Sequence, residues 1–502
     1  MAFVWDPLNR SQSGMAQLLT RRLLIGSTGW RNAYEAEGVK VFTAAPRGAV
    51  REPCLLSDHA GIVLGTLFER ALDGEPSARV TKLASAESAA IVSSGGRRLI
   101  DRYWGRYVAF LHDASADQTW IVRDPTGGLP CLTATIGGVQ IYFSRLEDCA
   151  QLELLSFSVN WKYVAAHLAA PFTCAYETGI NEVGEVLAGE SVGVSREGIE
   201  RDLCWHPLSP PEHGSTPRDV AARQCVHSWA SCYGSIFCLR DDEHYAPLVR
   251  DLLRVAPNGP VVAFGAEPPH APLEELLDAP RTESPDSYLG RVHATSTDLP
   301  AAWEIGAEAI FSATGAAALF HSERGTPADK ALIDSQAYRE LSLQPPPLHP
   351  WFSSAEVEPR RTFRRVQTLL AALRARNPLT QSEDPELVVP LLSQPLIEIA
   401  MRGGADLPPA SAGTDHGERA RAVLQQNVGL VRTYLLDGIL VRERLLDRRR
   451  LESVLEQVAE GQPVQDSMAV ELLDHFSTEA WLASWFDTGV RRQRERRVEL
   501  ML

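Results

Sequence analysis

The sequence has no apolar run long enough to cross a bilayer, for which a helix needs roughly 20 apolar residues. Its start, Met1-Ala-Phe-Val-Trp-Asp-Pro-Leu-Asn-Arg10, lacks the basic opening and apolar core of a signal peptide. Leu23-Leu24-Ile25 after Arg21-Arg22 is too short to be one. These absences make a cytoplasmic protein the expectation. There is no Cys-x-x-Cys pair and no histidine pair at zinc-finger spacing, which argues against a zinc module. The eight cysteines, Cys54, Cys131, Cys149, Cys174, Cys204, Cys225, Cys232 and Cys238, are therefore read as small buried apolar residues in a reducing compartment. Basic charge is short: the net charge of −15 argues against nucleic acid or an anionic membrane as the main partner, and leaves a basic peptide compatible. What is there is ordinary globular protein, 44% hydrophobic and 23% charged. At 502 residues it exceeds one core, so two domains are expected.

Residues 1–204 read as a β-rich domain. Gly61–Phe68, Tyr107–His112, Thr119–Arg123, Gln140–Ser144 and Gly189–Ser195 have the pattern of strands, the second and third pairing as a hairpin. Ser85–Ser93 is a short helix, Asp124–Pro130 a tight turn, and Asn160 caps a helix to Ala169. A Pro- and Ser-rich linker spans 205–218, and a second domain follows over 219–502. Its α/β opening comprises a helix started by Thr216-Pro217, the buried strand Ser235–Leu239, a helix over Tyr245–Ala256 and the strand Val261–Phe264. Helices are expected at Ala301–Glu308, Arg360–Arg376, Gln394–Met401, Glu418–Leu436, Leu445–Ala459 and Met468–Phe486.

Five segments, in this order, carry a family likeness: Leu99-Ile-Asp-Arg-Tyr-Trp-Gly-Arg-Tyr-Val-Ala-Phe110, Val122-Arg-Asp-Pro-Thr-Gly-Gly-Leu-Pro130, Glu185-Val-Leu-Ala-Gly-Glu190, Gly306-Ala-Glu-Ala-Ile-Phe-Ser-Ala-Thr-Gly315 and Val389-Pro-Leu-Leu-Ser-Gln-Pro-Leu-Ile-Glu398. With them the chain resembles the asparagine synthetase family, and within it the lasso-peptide cyclase branch. The resemblance implies an α/β protein. An N-terminal Ntn-type amidotransferase-like αββα domain would precede a truncated ATP-pyrophosphatase-like α/β domain with a helical C-terminal region. It also implies two chemistries: release of ammonia from glutamine by a cysteine after the initiator Met, and ATP- and magnesium-dependent adenylation of a carboxylate.

Both lack their residues. Position 2 is Ala, and the first cysteine is Cys54, so the cysteine–amine arrangement cannot form. A phosphate cradle needs small residues that bare backbone N–H groups at a helix start. The family's Ser-Gly-Gly-x-Asp-Ser loop is missing after Leu239, where Arg240-Asp241-Asp242-Glu243 stands instead, with acids that repel a triphosphate. These acids are read as helix caps rather than metal ligands. By the resemblance, the chain runs straight into the family's next helix, so the loss of loop, helix and strand together is expected. The Gly-Gly-Asp aspartate is lost at Thr314-Gly315-Ala316-Ala317-Ala318, and Gly403–Gly417 lacks a cation to steady pyrophosphate, Arg402 and Arg419 only flanking it. The resemblance places a vestigial pocket at Leu239, Phe311, Ser312, Gly315, Leu391 and Ser393, with no catalytic or metal residue. Trp104 and Tyr107 are read as core or interface aromatics, and His206, His270 and His321 form no triad. Arg360–Arg376 and Arg448-Arg449-Arg450 read as solvated helix faces. The expectation is a non-catalytic homologue that binds a precursor or leader peptide, or an intact cyclase, and requires no cofactor. The alternative is a working ATP-dependent amide ligase using ATP and magnesium.

Overall fold

The computed structural model describes the chain apart from residues 26–28, 45–51, 71–74, 210–215, 242–244, 258, 266–272, 278–280, 286–297, 321–331, 335, 337–339, 341–344, 354–358, 375–384, 403–415 and 487–502. Among the described residues its first part contains twelve strands: β1 (Ala2–Val4), β2 (Trp30–Ala36), β3 (Val39–Ala44), β4 (Cys54–Leu55), β5 (Gly61–Glu69), β6 (Tyr103–Asp113), β7 (Gln118–Arg123), β8 (Leu132–Ile136), β9 (Val139–Phe143), β10 (Gly184–Glu185), β11 (Glu190–Ser195) and β12 (Gly198–Leu203). They form two six-stranded sheets, ordered β10-β8-β9-β1-β3-β2 and β12-β11-β7-β6-β5-β4. Neighbouring strands in both run antiparallel.

Period-2 alternation divides each strand's side chains between two faces. In β1, Ala2 and Val4 join Val39, Val41, Ile62, Val108, Phe110 and Ile121 in an apolar layer between the sheets. Phe3 points the other way, into a core with α1 (Arg10–Ile25), α4 (Leu146–Ala150) and α5 (Trp161–Ala169). On the far side of the second sheet, Val63, Ala109, Leu111 and Val122 pack with Ile91 of α2 (Ser85–Ser93) and Leu99 of α3 (Arg97–Arg102). The layers are thus helix, sheet, sheet, helix, which meets the αββα expectation. Asn160 caps α5, its side chain accepting from the Tyr163 N–H at 3.1 Å. The Trp-Gly step in β6 has a steric cause. Gly105 sits at φ +141°, and a Cβ there would lie 2.2 Å from the Thr66 carbonyl oxygen on β5.

After α6 (Arg218–Ala230), four strands make a third, parallel sheet: β13 (Ser235–Cys238), β14 (Val261–Phe264), β15 (Ala309–Phe311) and β16 (Glu386–Val388), ordered β14-β13-β15-β16. Helix α7 (Ala246–Arg254) connects β13 to β14, and α8 (Asp298–Glu304) precedes β15. Strands β13 and β14 pair in register from Ser235 opposite Val261 to Cys238 opposite Phe264, and this pairing does not test the expected loss of a helix and strand after β13.

The remaining helices are α9 (Ala316–Phe320), α10 (Pro359–Arg374), α11 (Gln394–Arg402), α12 (His416–Gln426), α13 (Val428–Leu436), α14 (Ile439–Arg442), α15 (Arg448–Ala459) and α16 (Asp466–Phe486). The helix expected over Glu418–Leu436 is two, broken at Asn427, whose side chain donates back to the Val423 carbonyl at 2.8 Å. Helix α16 lies against the sandwich: Trp485 meets Phe157 edge-on at 6.0 Å, and Trp161 stacks on Phe486 at 6.1 Å. Among the described residues no helix is long and apolar enough to cross a membrane.

Candidate functional site

In an open parallel sheet, ligands enter beyond the carboxyl ends of the strands, where the strand order reverses. Here β13 connects outward to β14 on one side, and the chain then returns to place β15 on the other. The reversal lies between β13 and β15, and its crevice is bounded by Leu239–Asp241 and Ser312–Gly315.

That crevice is filled by the chain itself. The Asp241 carboxylate accepts from the Ser312 hydroxyl, from the Thr314 hydroxyl at 2.7 Å and from the Ala313 N–H at 3.2 Å. Ser312 is fully buried, and its oxygen also accepts from the Thr314 N–H at 3.0 Å. The Leu239 N–H donates to the Phe311 carbonyl at 2.8 Å, continuing the ladder. Asp241 therefore ties two loops together, which corrects its reading as a helix cap. Helix α7 has no side-chain cap. Asp242 and Glu243 lie outside the described residues.

Five of the six vestigial-pocket positions gather on one side of the sheet or at its end, and none is open. Phe311 and Leu391 are both fully buried in one core with Ile236, Cys238 and Val388. Ser393 donates to the Pro390 carbonyl at 2.7 Å and accepts from the Trp229 indole N–H at 3.0 Å. Gly315 takes φ +81°, and a Cβ there would stand 2.9 Å from the Ala372 Cβ. Leu239 is the exception: it packs on the opposite face with Phe237, Leu299, Ala302 and Ile310. Period-2 alternation decides this, because Cys238 faces Phe311's side and the next residue must face away.

Position 2, where the resemblance would put a nucleophile, is equally closed. Ala2 pairs with Val41 and Tyr142 and is wholly buried between the sheets. Cys131 shares that layer, but burial pushes its thiol up to about 12, so it holds its proton at neutral pH. Cys54, in β4, is pushed up to about 11 by burial. All eight cysteines are free; seven are buried and Cys232 is half-buried. Among the described residues no group of three or more His, Cys, Asp or Glu side chains could hold a metal ion. His206 contacts the Trp351 carbonyl at 3.1 Å, whereas His270 and His321 lie outside the described residues.

Two charged clusters join the sandwich to the second half, and sequence reasoning missed both. Arg70, just after β5, donates twice to Glu398 of α11 at 2.8 and 2.9 Å. Trp205 Nε1 and Gln394 Nε2 donate to the same carboxylate at 2.9 and 3.0 Å. Burial alone would raise the Glu398 carboxyl, but these donors and the Arg70 charge outweigh it and hold it below its usual range. Glu185 receives Arg123 at 2.7 Å and Arg374 of α10 at 2.9 Å. Trp104 stacks on Phe68 at 4.5 Å and meets Trp229 of α6 edge-on at 6.3 Å, so it is an interface aromatic as expected. Arg70 and Glu398 are 328 residues apart, and no local pattern announces such a pair.

No protein-family model matches the chain, and no curated protein matches its sequence. Several solved structures match in part, two of them as follows. One is described as the allosteric regulatory enzyme of purine biosynthesis (9% identity, TM-score 0.22), with 55% of this chain aligned to 60% of that one. The other is glutamine phosphoribosylpyrophosphate amidotransferase from B. subtilis complexed with ADP and GMP (10% identity, TM-score 0.23), with 63% of this chain aligned to 76% of that one. Matches at this level decide neither fold nor function, and the αββα description rests on the layers themselves.

Proposed function

We propose that the chain is a non-catalytic, asparagine-synthetase-like protein that serves as a binding partner or scaffold in peptide macrolactam (RiPP) biosynthesis. Its partner is a precursor peptide, its leader, or an intact homologous cyclase, and it needs neither ATP nor magnesium for this. The observation that carries the reading is Asp241 tied to Ser312, Ala313 and Thr314 in the switch-point crevice. A triphosphate there would have to displace a satisfied carboxylate and then face its charge. Ala2, sealed between the sheets, supports the same reading for the ammonia-releasing half.

The second reading is a working ATP-dependent amide ligase. What favours it is the parallel sheet, whose order reverses where such folds bind ligands. ATP–pyrophosphate exchange with the full chain and magnesium separates the two, together with calorimetry of magnesium-ATP. We expect no exchange above background and no saturable binding. Exchange, or magnesium-dependent ATP binding at micromolar Kd, would overturn the non-catalytic reading.

A further inference from the structure

A cavity of about 700 Å³ lies away from the switch point, between the extended segment 75–84, the end of β5 and the start of β6. Its size falls within the range of roughly 300–1,000 Å³ typical of small-molecule sites. Segment 75–84 is held at several points. The Val80 N–H donates to the Leu67 carbonyl at 2.8 Å, Arg79 bridges Phe68, and Lys82 bridges Leu55. The Ser77 N–H donates to the Ser228 hydroxyl of α6 at 2.8 Å. The cavity thus sits at the junction of the sandwich and the second half.

Its charges are unequally matched. Of the lining acids, Glu87 is held by Arg98 at 2.7 and 2.9 Å, and Glu69 meets Arg102 at 3.5 Å. Glu75 stands exposed at the rim. Of the lining cations, Arg70 is neutralised by Glu398. Arg79 donates only to a carbonyl, that of Glu52 at 3.0 Å, and Lys82 is exposed. Neither has a carboxylate within ion-pair distance among the described residues. Arg70 Nε and Ser77 Oγ are buried beneath the wall and do not open onto the cavity. Pro76, Ala78, Val80, Leu83 and Ala84 supply apolar surface.

Cations without a carboxylate and an apolar wall call for an anion carried on an apolar body. We propose that this cavity binds an organic carboxylate of about dipeptide size, its anion held by Arg79 and Lys82 and its side chains lying on Val80 and Leu83. The proposal does not rest on the non-catalytic reading, because the site lies outside the switch-point crevice and requires no nucleotide.

The test uses the full chain and two probes differing only in charge, N-acetyl-Leu-Leu and its C-terminal amide, followed by ligand-observed NMR and calorimetry. The acid should bind saturably and about tenfold more tightly than the amide, as expected for one charge-assisted contact. Lys82→Gln and Arg79→Gln should each weaken the acid several-fold and leave the amide unchanged. Lys82 is exposed, so Lys82→Gln tests the site without threatening the fold. Acetate as competitor distinguishes the source: displacement at equal concentration marks a small free carboxylate, and failure to displace marks a peptide carboxylate. Equal binding of acid and amide, no saturable binding of either, or acid binding unchanged in Lys82→Gln would each overturn the proposal.

Discussion

Replacing Asp241 by alanine tests whether the switch-point crevice is closed by design. The truncation removes an acceptor used by the Ser312 and Thr314 hydroxyls and the Ala313 N–H. A hydrogen bond to a charged group contributes about 1.5–3 kcal/mol, and a buried donor left unmet costs about 1–3 kcal/mol. The three bonds share one half-buried carboxylate, so they do not add. Ser312 keeps the Thr314 N–H as a donor to its oxygen, which leaves its own proton as the main orphan. The local cost is therefore about 2–3 kcal/mol. A global unfolding midpoint spreads a local cost over several cores, so the assay for this one is native-state hydrogen exchange read on peptides covering 235–241 and 309–315. Their protection should fall about thirty- to hundredfold, with the sandwich strands unchanged. Asp241→Asn, which keeps one acceptor oxygen, should fall between. In a double-mutant cycle with Ser312→Ala the two costs should be sub-additive by at least about 1 kcal/mol. A loss of protection below about threefold, or full additivity with Ser312→Ala, would refute the idea that this carboxylate closes the crevice.

Two further outcomes follow from the structure. His349 is buried against Trp351; burial first, then the Arg374 charge, lowers it to about 3. Because its folded pKa lies below its unfolded one, the unfolded chain binds the extra proton between these values, and stability falls as pH drops below about 6.5. At pH 5 this amounts to about 2 kcal/mol, and His349→Gln should flatten the stability-versus-pH slope from pH 7 to 5 in thermal unfolding. Gly105→Ala, whose Cβ would stand 2.2 Å from the Thr66 oxygen at φ +141°, should cost about 3 kcal/mol or more and lower the melting temperature. Gly14→Ala inside α1, with nothing within 4 Å, should be neutral or stabilising and serves as its control.

Local signals in the sequence survive well where one rule acts alone. Asn160 before an apolar-periodic run made a capped helix, and Ser85–Ser93 formed as expected. The hairpin of β6 and β7 follows from alternation across a polar turn. Failures occur where a distant partner supplies the deciding group. Strand β1 is three residues long and was not recognisable, because only β3 and β9 on either side make it a strand. Asp241 looked like a helix-start acid because its neighbours in sequence are acids; its partners, Ser312 and Thr314, lie more than 70 residues away. Leu239 was grouped with Phe311 by family wording, and the pleat turned it to the other face.

By itself the sequence determined which groups are absent: a cysteine at position 2, a glycine-rich loop after Leu239 and an aspartate after Gly315. Covalent identity decides such questions, and no fold can supply a missing thiol or carboxylate at its own position. It also determined local elements, the β6–β7 hairpin and the Asn160 cap among them, because alternation and caps act over a few residues; the αββα layering was only what the resemblance implied. Only the tertiary structure decided what surrounds those positions. Ala2 is sealed between two sheets, the switch-point crevice is closed by Asp241, and Arg70 is paired to Glu398 while Arg79 and Lys82 have no carboxylate among the described residues. These depend on which distant side chains meet in a low-dielectric interior, where a charge must find its partner and a backbone group its acceptor.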